Sequence, residues 1–452
     1  MNPRHVLAIA RLTLRDASRS RLLPSVGFLL VLVITGLPFL ITDSGAGTSR
    51  MFVLLRYSMS TVLFLLTITT LWASCGAVAG DIADRRIYLV LAKPVRRSDF
   101  WAGKWLGILS MNAALLAFAG LLVWGMLQLT LSRLPPDSPE RVEAGTRLLT
   151  ARLALKPDLP PEITDRITRR ELALRRDPAA KGQEPREMAR QQVIRGSMIV
   201  PPMGTLELHY SQVPVFTPSQ RAELRCIIQS SRPEGGFLSG VWRIRSLSGE
   251  TREIAFTNRP GVPTRILIPP FEKPSDSLLI SLVRTDSGKA GHFMLAPRGE
   301  PPELLVPAGS FTPNLARALL SLLFRLCFVA AVGVTLGCLL STPVSVFSGF
   351  ALLIVLHMTG FVTRVVSTGA VLETHHGEVV APEGLNRIVL HILQLLDSVT
   401  GPLAHLDPLP LLADGRMVSA TFALQAFAIL AVLFTLGAAL PGMRLFTRRE
   451  LP

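Results

Sequence analysis

Runs of apolar residues long enough to cross a bilayer decide what this chain can fold into. Six of them stand at about 22–41, 57–79, 105–131, 314–340, 344–366 and 418–440. Roughly twenty residues of helix span a ~30 Å hydrocarbon core. Inside lipid every backbone N–H and C=O must find a partner within its own segment, so such runs are α-helices. Between the third and fourth runs lies a polar stretch of water-soluble character, from Ser132 to Pro313. The expected fold class is therefore an α-helical integral membrane protein with six transmembrane helices and an inserted α+β domain. The first run is longer than the core of a signal peptide, and no Ala-x-Ala site follows it, so it is expected to remain as a span. Composition agrees with a mixture of spans and soluble protein: 49% of the 452 residues are apolar and the mean hydropathy is +0.42.

Charge orients the chain. Residues 80–107 read GDIADRRIYLVLAKPVRRSDFWAGKWLG and carry Arg85, Arg86, Lys93, Arg96, Arg97 and Lys104 between the second and third runs, which places them in the cytoplasm by the positive-inside tendency. The basic end RLFTRREL after the last run is cytoplasmic as well. Both termini then face the cytoplasm, while 132–313 and 367–417 lie outside it. The net charge of +15 sits largely at these membrane edges, where it sets topology and attracts anionic lipid, so it does not call for a nucleic-acid partner. Residues 1–21 place Val6, Ile9, Ala10, Thr13, Leu14 and Ala17 on one helical face opposite Arg4, Arg11, Arg15 and Arg19, the pattern of an interfacial helix.

Within the 80–107 segment, Asp81 to Ala92 is expected to form a short helix that Pro94 ends, and a second helix is expected to restart at Ser98 as N-cap. The product is a charged elbow fused to a transmembrane helix. Two readings fit it: a surface that receives force from a cytoplasmic partner, or a basic inter-helix loop.

The inserted region divides in two. Residues 139–196 are rich in Arg, Glu, Ala and Leu and read as helical, with stretches such as ERVEAGTRLLTARLAL and ITDRITRRELALRR. Residues 203–310 alternate in strand fashion through LELHY, ELRCIIQ, VWRIRS, REIAF, TRILI, SLLISLVR, GHFML and ELLV, and about eight such strands predict an antiparallel β-sandwich. Trp242 and Phe256 are expected in its core. Leu224, Cys226 and Ile228 share one strand face by period two, so the Cys226 thiol is expected to be buried and unpaired. Cys75, Cys327 and Cys338 lie in apolar runs, and no disulfide framework or metal spacing follows from the four cysteines.

Arg325 lies inside the fourth run, two turns or roughly 12 Å beyond Arg317. An intramembrane arginine faces a bundle interior, an acid or a water-filled cavity, or snorkels to the headgroups. The functional reading makes it line a transport path or bind an anionic, lipid-like group. His357 in the fifth run reads as a hydrogen-bonded bundle residue, and the external group Glu373, His375, His376 and Glu378 reads as a solvated loop rather than a metal site. No phosphate loop is present, since Ser287-Gly288-Lys289 has Val283 where the upstream glycine would stand, and neither G-x-S-x-G nor H-E-x-x-H occurs. The chain is therefore read as a non-enzyme without its own cofactor, and any energised role requires a separate ATPase.

The wording of the elbow, LAKPVRRSDFWAGKWLG after a span that ends in small residues, resembles permease subunits of ATP-binding cassette transporters, in particular the type-2 exporter class of drug, polysaccharide and copper-enzyme maturation systems. The Pro-containing, Leu-rich LDPLPLLADG before a final span with a basic tail is similar to the same class, in which re-entrant or interfacial helices occupy that position. The likeness covers about 1–131 and 314–452, not the inserted domain. It implies that the elbow is a coupling helix docking on an ATPase through Asp81, Asp84, Arg85, Arg86, Tyr88, Lys93, Pro94, Val95, Arg97, Phe100, Gly103 and Lys104. Where the class often has Glu and Gly-Thr, this chain reads Arg85, Arg86, Ile87 and Tyr88. The implied partners are an ATPase subunit carrying ATP and Mg, a second permease copy or related permease, and membrane lipid. The alternative is an ATPase-coupled mechanotransmission or scaffold protein that moves an extracytoplasmic partner without solute transport. A third is an uncoupled membrane-anchored binding protein, which a neighbouring ATPase gene would disfavour.

Overall fold

The structure is a computed structural model, and it describes residues 2–40, 47–92, 95–176, 185–214, 221–232, 237–271, 276–285, 291–297, 299–357, 389, 391–394, 396 and 401–448. Lys93, Pro94, the 373–378 group, the side chain of His357 and the second half of the fifth apolar run lie outside them. The chain forms two compact units, one helical and one built on Thr150–Gly309.

The helical unit begins with α1 (Pro3–Arg19), bent by 60° from α2 (Leu22–Leu40). Then follow α3 (Gly47–Ala83), α4 (Arg86–Leu91), α5 (Arg97–Arg133) and α6 (Pro139–Arg147), and later α9 (Phe311–Leu339), α10 (Thr342–His357), α11 (Leu409–Ala413) and α12 (Ala420–Arg448). Among the described residues four helices, α3, α5, α9 and α12, are long and apolar enough to cross a membrane, and the α1–α2 pair brings the number to five. α10 is a shorter apolar helix. The chain is thus compatible with a multi-pass membrane protein.

Small residues let the long helices meet. A methyl group at Gly333 of α9 would collide with Ser74 of α3, and one at Gly337 with the Cys75 carbonyl. Gly103 and Gly107 of α5 likewise sit against Ile9 and Thr13, so the apolar face of α1 packs on α5 as well as being suited to an interface. Buried polar groups add links between helices: Thr70 Oγ1 donates to Asn112 Oδ1 at 2.9 Å, and Trp105 Nε1 to the Cys327 carbonyl at 3.0 Å. Lipid tails are as apolar as leucine, so close approach and such hydrogen bonds, rather than water exclusion, hold helices together there.

The second unit opens with β1 (Thr150–Leu155), followed by α7 (Pro161–Arg176) and α8 (Pro185–Ser197), which pack through Ile167, Leu174, Ala189 and Val193. The strands that follow are β2 (Ile199–Val200), β3 (Thr205–Tyr210), β4 (Ala222–Ile227), β5 (Gln229–Ser230), β6 (Leu238–Ser246), β7 (Thr251–Asn258), β8 (Pro263–Ile268), β9 (Leu278–Arg284), β10 (Phe293–Met294) and β11 (Glu303–Ser310). Two four-stranded sheets, β1-β11-β4-β8 and β3-β9-β6-β7, contribute to one apolar core, and β2-β10-β5 forms a small third sheet. β4 pairs antiparallel with β8 and β11, and β6 with β7 and β9, which sets Leu224 opposite Ile266 and Leu304, and Trp242 opposite Ile254 and Leu282. Trp242 is fully buried with its ring centroid 5.9 Å from that of Phe256, and Cys226 is a free, buried thiol between Leu224 and Ile228. Burial pushes that thiol up to about 12.

One stretch differs from the helical expectation. ERVEAGTRLLTARLAL breaks after α6, and its second half is β1, an edge strand beside β11. The residues suit either conformation by propensity, and the open backbone edge of β11 decides between them.

Candidate functional site

The elbow lies wholly within the helical unit. α3 continues through Asp81 to Ala83, so Asp81 ends the long helix instead of starting a short one. The chain then reverses at Arg85, which adopts φ 57°, after Asp84 N donates to the Gly80 carbonyl at 2.8 Å. α4 follows, and α5 starts at Arg97 with extended Arg96 as its cap, two residues ahead of the expected Ser98 cap and without a side-chain cap bond. Ser98 is therefore inside the helix.

Among the described residues, the expected charged and aromatic coupling residues fall into two sets. Lys104 and Asp81 form an ion pair at 2.7 Å, with Lys104 only 4% exposed. Phe100 is fully buried and stacks on Phe446, and the Lys104 ammonium lies 5.6 Å from the Phe100 ring centre. Arg97 donates through Nη1 to the carbonyls of Phe446 at 2.6 Å and Thr447 at 3.2 Å, and its guanidinium covers the Phe446 ring. It thus caps the C-terminal end of α12, where orphan carbonyls and the helix dipole favour a cation. Buried Asp99 in the first turn of α5 accepts from Asn2 N at 3.3 Å and faces His5. These residues weld the elbow to α1, α3, α5 and α12.

The outward set is Asp84, Arg85, Arg86 and Tyr88, joined by Leu89, which is 76% exposed while its neighbour Ile87 is buried. Arg86 and Asp84 pair at 3.3 Å in the open, an interaction worth well under ~1 kcal/mol. Sequence reasoning grouped both sets by proximity. It missed the capping role of Arg97, which only the approach of α12 discloses.

A second constellation surrounds Arg325. Asn314 Nδ2 donates to the Arg416 carbonyl and accepts from Val418 N through Oδ1 at 2.7 Å, and Arg317 reaches the Val418 carbonyl at 3.2 Å. These bonds tie the start of α12 to the first turns of α9. Arg325 lies eight residues farther along α9, roughly 12 Å, and there meets Asp407 at 3.7 Å. Helical residues 401–405, the turn at Leu406, and α11 therefore lie beside α9, with Leu403, Leu406, Leu409 and Leu412 buried. Asp407 Oδ1 accepts from Leu409 N at 3.0 Å, closing the turn. Beside this pair a cavity of about 500 Å³ is bounded by Ser60, Phe64 and Thr67 of α3, by Arg325, and by Leu403 and Asp407. α12 is π-helical over Phe427–Phe434, and Phe427 and Phe434 set their rings edge-on to Phe324 and Phe328, which flank Arg325 in sequence. Asp407 was readable in LDPLPLLADG, and the rule that an intramembrane arginine seeks an acid was the signal that would have paired them.

No protein-family model matches the chain, and no curated protein matches it either.

Proposed function

We propose that this chain is the membrane subunit of an ATP-binding cassette exporter of the type-2 class, energised by a separate ATPase. In this reading six spans, completed by α2 and by the fifth apolar run beyond α10, pair with a second permease and with two ATPase subunits. The Thr150–Gly309 unit is extracytoplasmic, and Arg325 lines the path. The observation that carries the reading is the division of labour in the elbow: its inner residues lock it to three long helices, while Asp84, Arg85, Arg86, Tyr88 and Leu89 remain turned outward. A push on α4 would then reach α3, α5 and α12 together. Rigid attachment and an exposed charged tip are what a force-receiving element needs, whereas a loop that only sets topology needs neither.

Reversal of the outer charges, Arg85→Glu with Arg86→Glu, is expected to weaken copurification with the ATPase by at least tenfold and to uncouple ATP hydrolysis, with membrane insertion retained. Unchanged ATPase stoichiometry and activity in this variant would exclude the elbow as the coupling element. A β unit with its own core also suits the mechanotransmission reading, since it can be moved as a body. Reconstituted vesicles that hydrolyse ATP under coupling yet accumulate no solute would favour that alternative.

A further inference from the structure

Arg325 has a chemical requirement that the described residues do not meet. A guanidinium keeps its charge at all accessible pH and presents five N–H donors in a plane. Among the described residues Arg325 makes no hydrogen bond, and its sole ion-pair partner, Asp407, stands at 3.7 Å, beyond hydrogen-bond length. Arg325 is 17% exposed and Asp407 26%, and both border the 500 Å³ cavity. That size suits a small ligand or the head of an amphiphile. The cavity's other walls are amphipathic: Ser60 and Thr67 offer hydroxyl oxygens, while Phe64 and Leu403 are apolar, and Phe64 is both a wall of the cavity and 57% exposed.

Charge selects among ligands. Arg325 and Asp407 sum to zero, so a plain anion drawn to Arg325 is repelled by the carboxylate, and a plain cation drawn to Asp407 is repelled by the guanidinium. A head group that carries both signs satisfies both, with its phosphate or carboxylate on the free edge of Arg325 and its ammonium on Asp407 Oδ2. We propose that this cavity binds a zwitterionic amphiphile with a primary amine, seated between Arg325 and Asp407 with its alkyl part leaving past Phe64. Both a bilayer phospholipid and a soluble single-chain amphiphile offer this chemistry. The inference rests on the exporter reading only in taking Arg325 to face a ligand path.

The test uses the purified full-length chain in phosphatidylcholine nanodiscs without any ATPase, so loss of binding is read apart from loss of coupling. Spin-labelled phosphatidylethanolamine and phosphatidylglycerol are compared as probes. The wild type is expected to retain phosphatidylethanolamine in preference, and Asp407→Asn to reverse the order, because the anion is no longer repelled. Arg325→Gln is expected to weaken both probes by roughly tenfold, the usual loss for a hydrogen bond to a charged group. If Arg325→Gln fails to fold with Asp407 left uncompensated, the double variant Arg325→Gln/Asp407→Asn removes both charges and should bind neither probe with preference. Lysophosphatidylethanolamine should displace the probe, and glycerophosphoethanolamine, which has no tail, should not. Stronger displacement by the one-chain competitor than by unlabelled two-chain lipid assigns a soluble source, and the reverse assigns the bilayer. A wild type that prefers phosphatidylglycerol, an order that Asp407→Asn leaves unchanged, full affinity in Arg325→Gln, or displacement by the tail-less head group would each overturn the assignment.

Discussion

The helical unit and the β unit differ less in the apolar residues they bury than in what they leave outside and which polar groups they take in. Along β6 the buried residues Leu238, Trp242 and Ile244 alternate with exposed Arg243 and Arg245, so large apolar side chains mark the inside. In the helical unit Phe28, Phe64, Trp72, Leu121 and Leu433 are each more than half exposed, whereas Thr70, Ser74, Asn112 and Ser321 are buried. Water sorts side chains by polarity, and the first pattern follows. Surroundings as apolar as lipid would not sort them that way, which is compatible with the helical unit leaving large apolar side chains outside and taking hydrogen-bonded polar ones inside.

The largest effect that would sharpen this contrast is at Gly333. Leucine there would drive its side chain into Ser74 and force α3 and α9 apart, at a cost above ~4 kcal/mol. Loss of monodisperse protein after extraction is the expected result. By comparison Leu121→Ala, on the exposed face of α5, should change thermal stability by less than ~0.5 kcal/mol. Equal behaviour of the two variants would break the small-residue rule.

Glu223 tests the other side of the comparison, because here the β unit hides a charge. Glu223 and Arg152 are each 1% exposed and pair at 2.6 Å, and Arg225 Nε donates to the same carboxylate at 2.8 Å. Glu223→Leu takes this carboxylate from buried Arg152 and from Arg225 and should destabilise the unit by about 3–5 kcal/mol, while the double variant Glu223→Leu/Arg152→Met should recover most of that loss. Urea unfolding followed by mass-spectrometric trapping of Cys226 reports it. A double variant as unstable as the single one would mean that the pair itself, not the uncompensated charge balance, holds the sheet.

A smaller effect is set by pH. Burial raises the Cys226 thiol from 9.0 to about 12, so its neutral form is favoured in the folded state. The corresponding stability is complete below pH 9 and is lost as pH climbs toward 12, at about 1.4 kcal/mol per unit inside that window. Burial moves the Tyr210 hydroxyl in the same direction, so Cys226→Ala should flatten the alkaline fall in the urea midpoint without abolishing it. An unaltered slope between pH 9 and 11 would place the thiol in contact with water.

How much of this was legible follows from the same contrast. Period two located the seven longer strands from β3 onward, the short β10 within GHFML, and the burial of Cys226, because each long strand has a wet face and a dry one. It missed β1, whose residues suit a helix equally well, and the two-residue strands β2 and β5, too short to show a period. Hydropathy located the long helices but not their inner faces, since Trp72 and Leu66 are alike in apolarity and only the second is buried. In the elbow, the charges were visible while their division was not: Arg86 and Arg97 look equivalent in sequence, and the end of α12, 349 residues away, turns one of them inward.

Arg85 gives a small expected effect and joins the elbow to stability. Its φ of 57° places it in the left-handed region, where a side chain with Cβ crowds the following carbonyl and glycine does not. Its position at the reversal between α3 and α4 leaves it exposed and without a side-chain cap bond. Arg85→Gly relieves the strain and loosens the unfolded chain, so the net change should be a gain of no more than about 1 kcal/mol. Arg85→Val, branched at Cβ, should lose a similar amount. Thermal unfolding of the full chain ranks the three, and equal melting of the Gly and Val forms would show that the turn does not need its left-handed residue. Because Arg85 also belongs to the outward set, Arg85→Gly separates two properties that usually move together: the helical unit should become slightly more stable while ATPase coupling weakens. A variant more stable and fully coupled would assign Arg85 to the turn alone and leave contact to Asp84, Arg86, Tyr88 and Leu89.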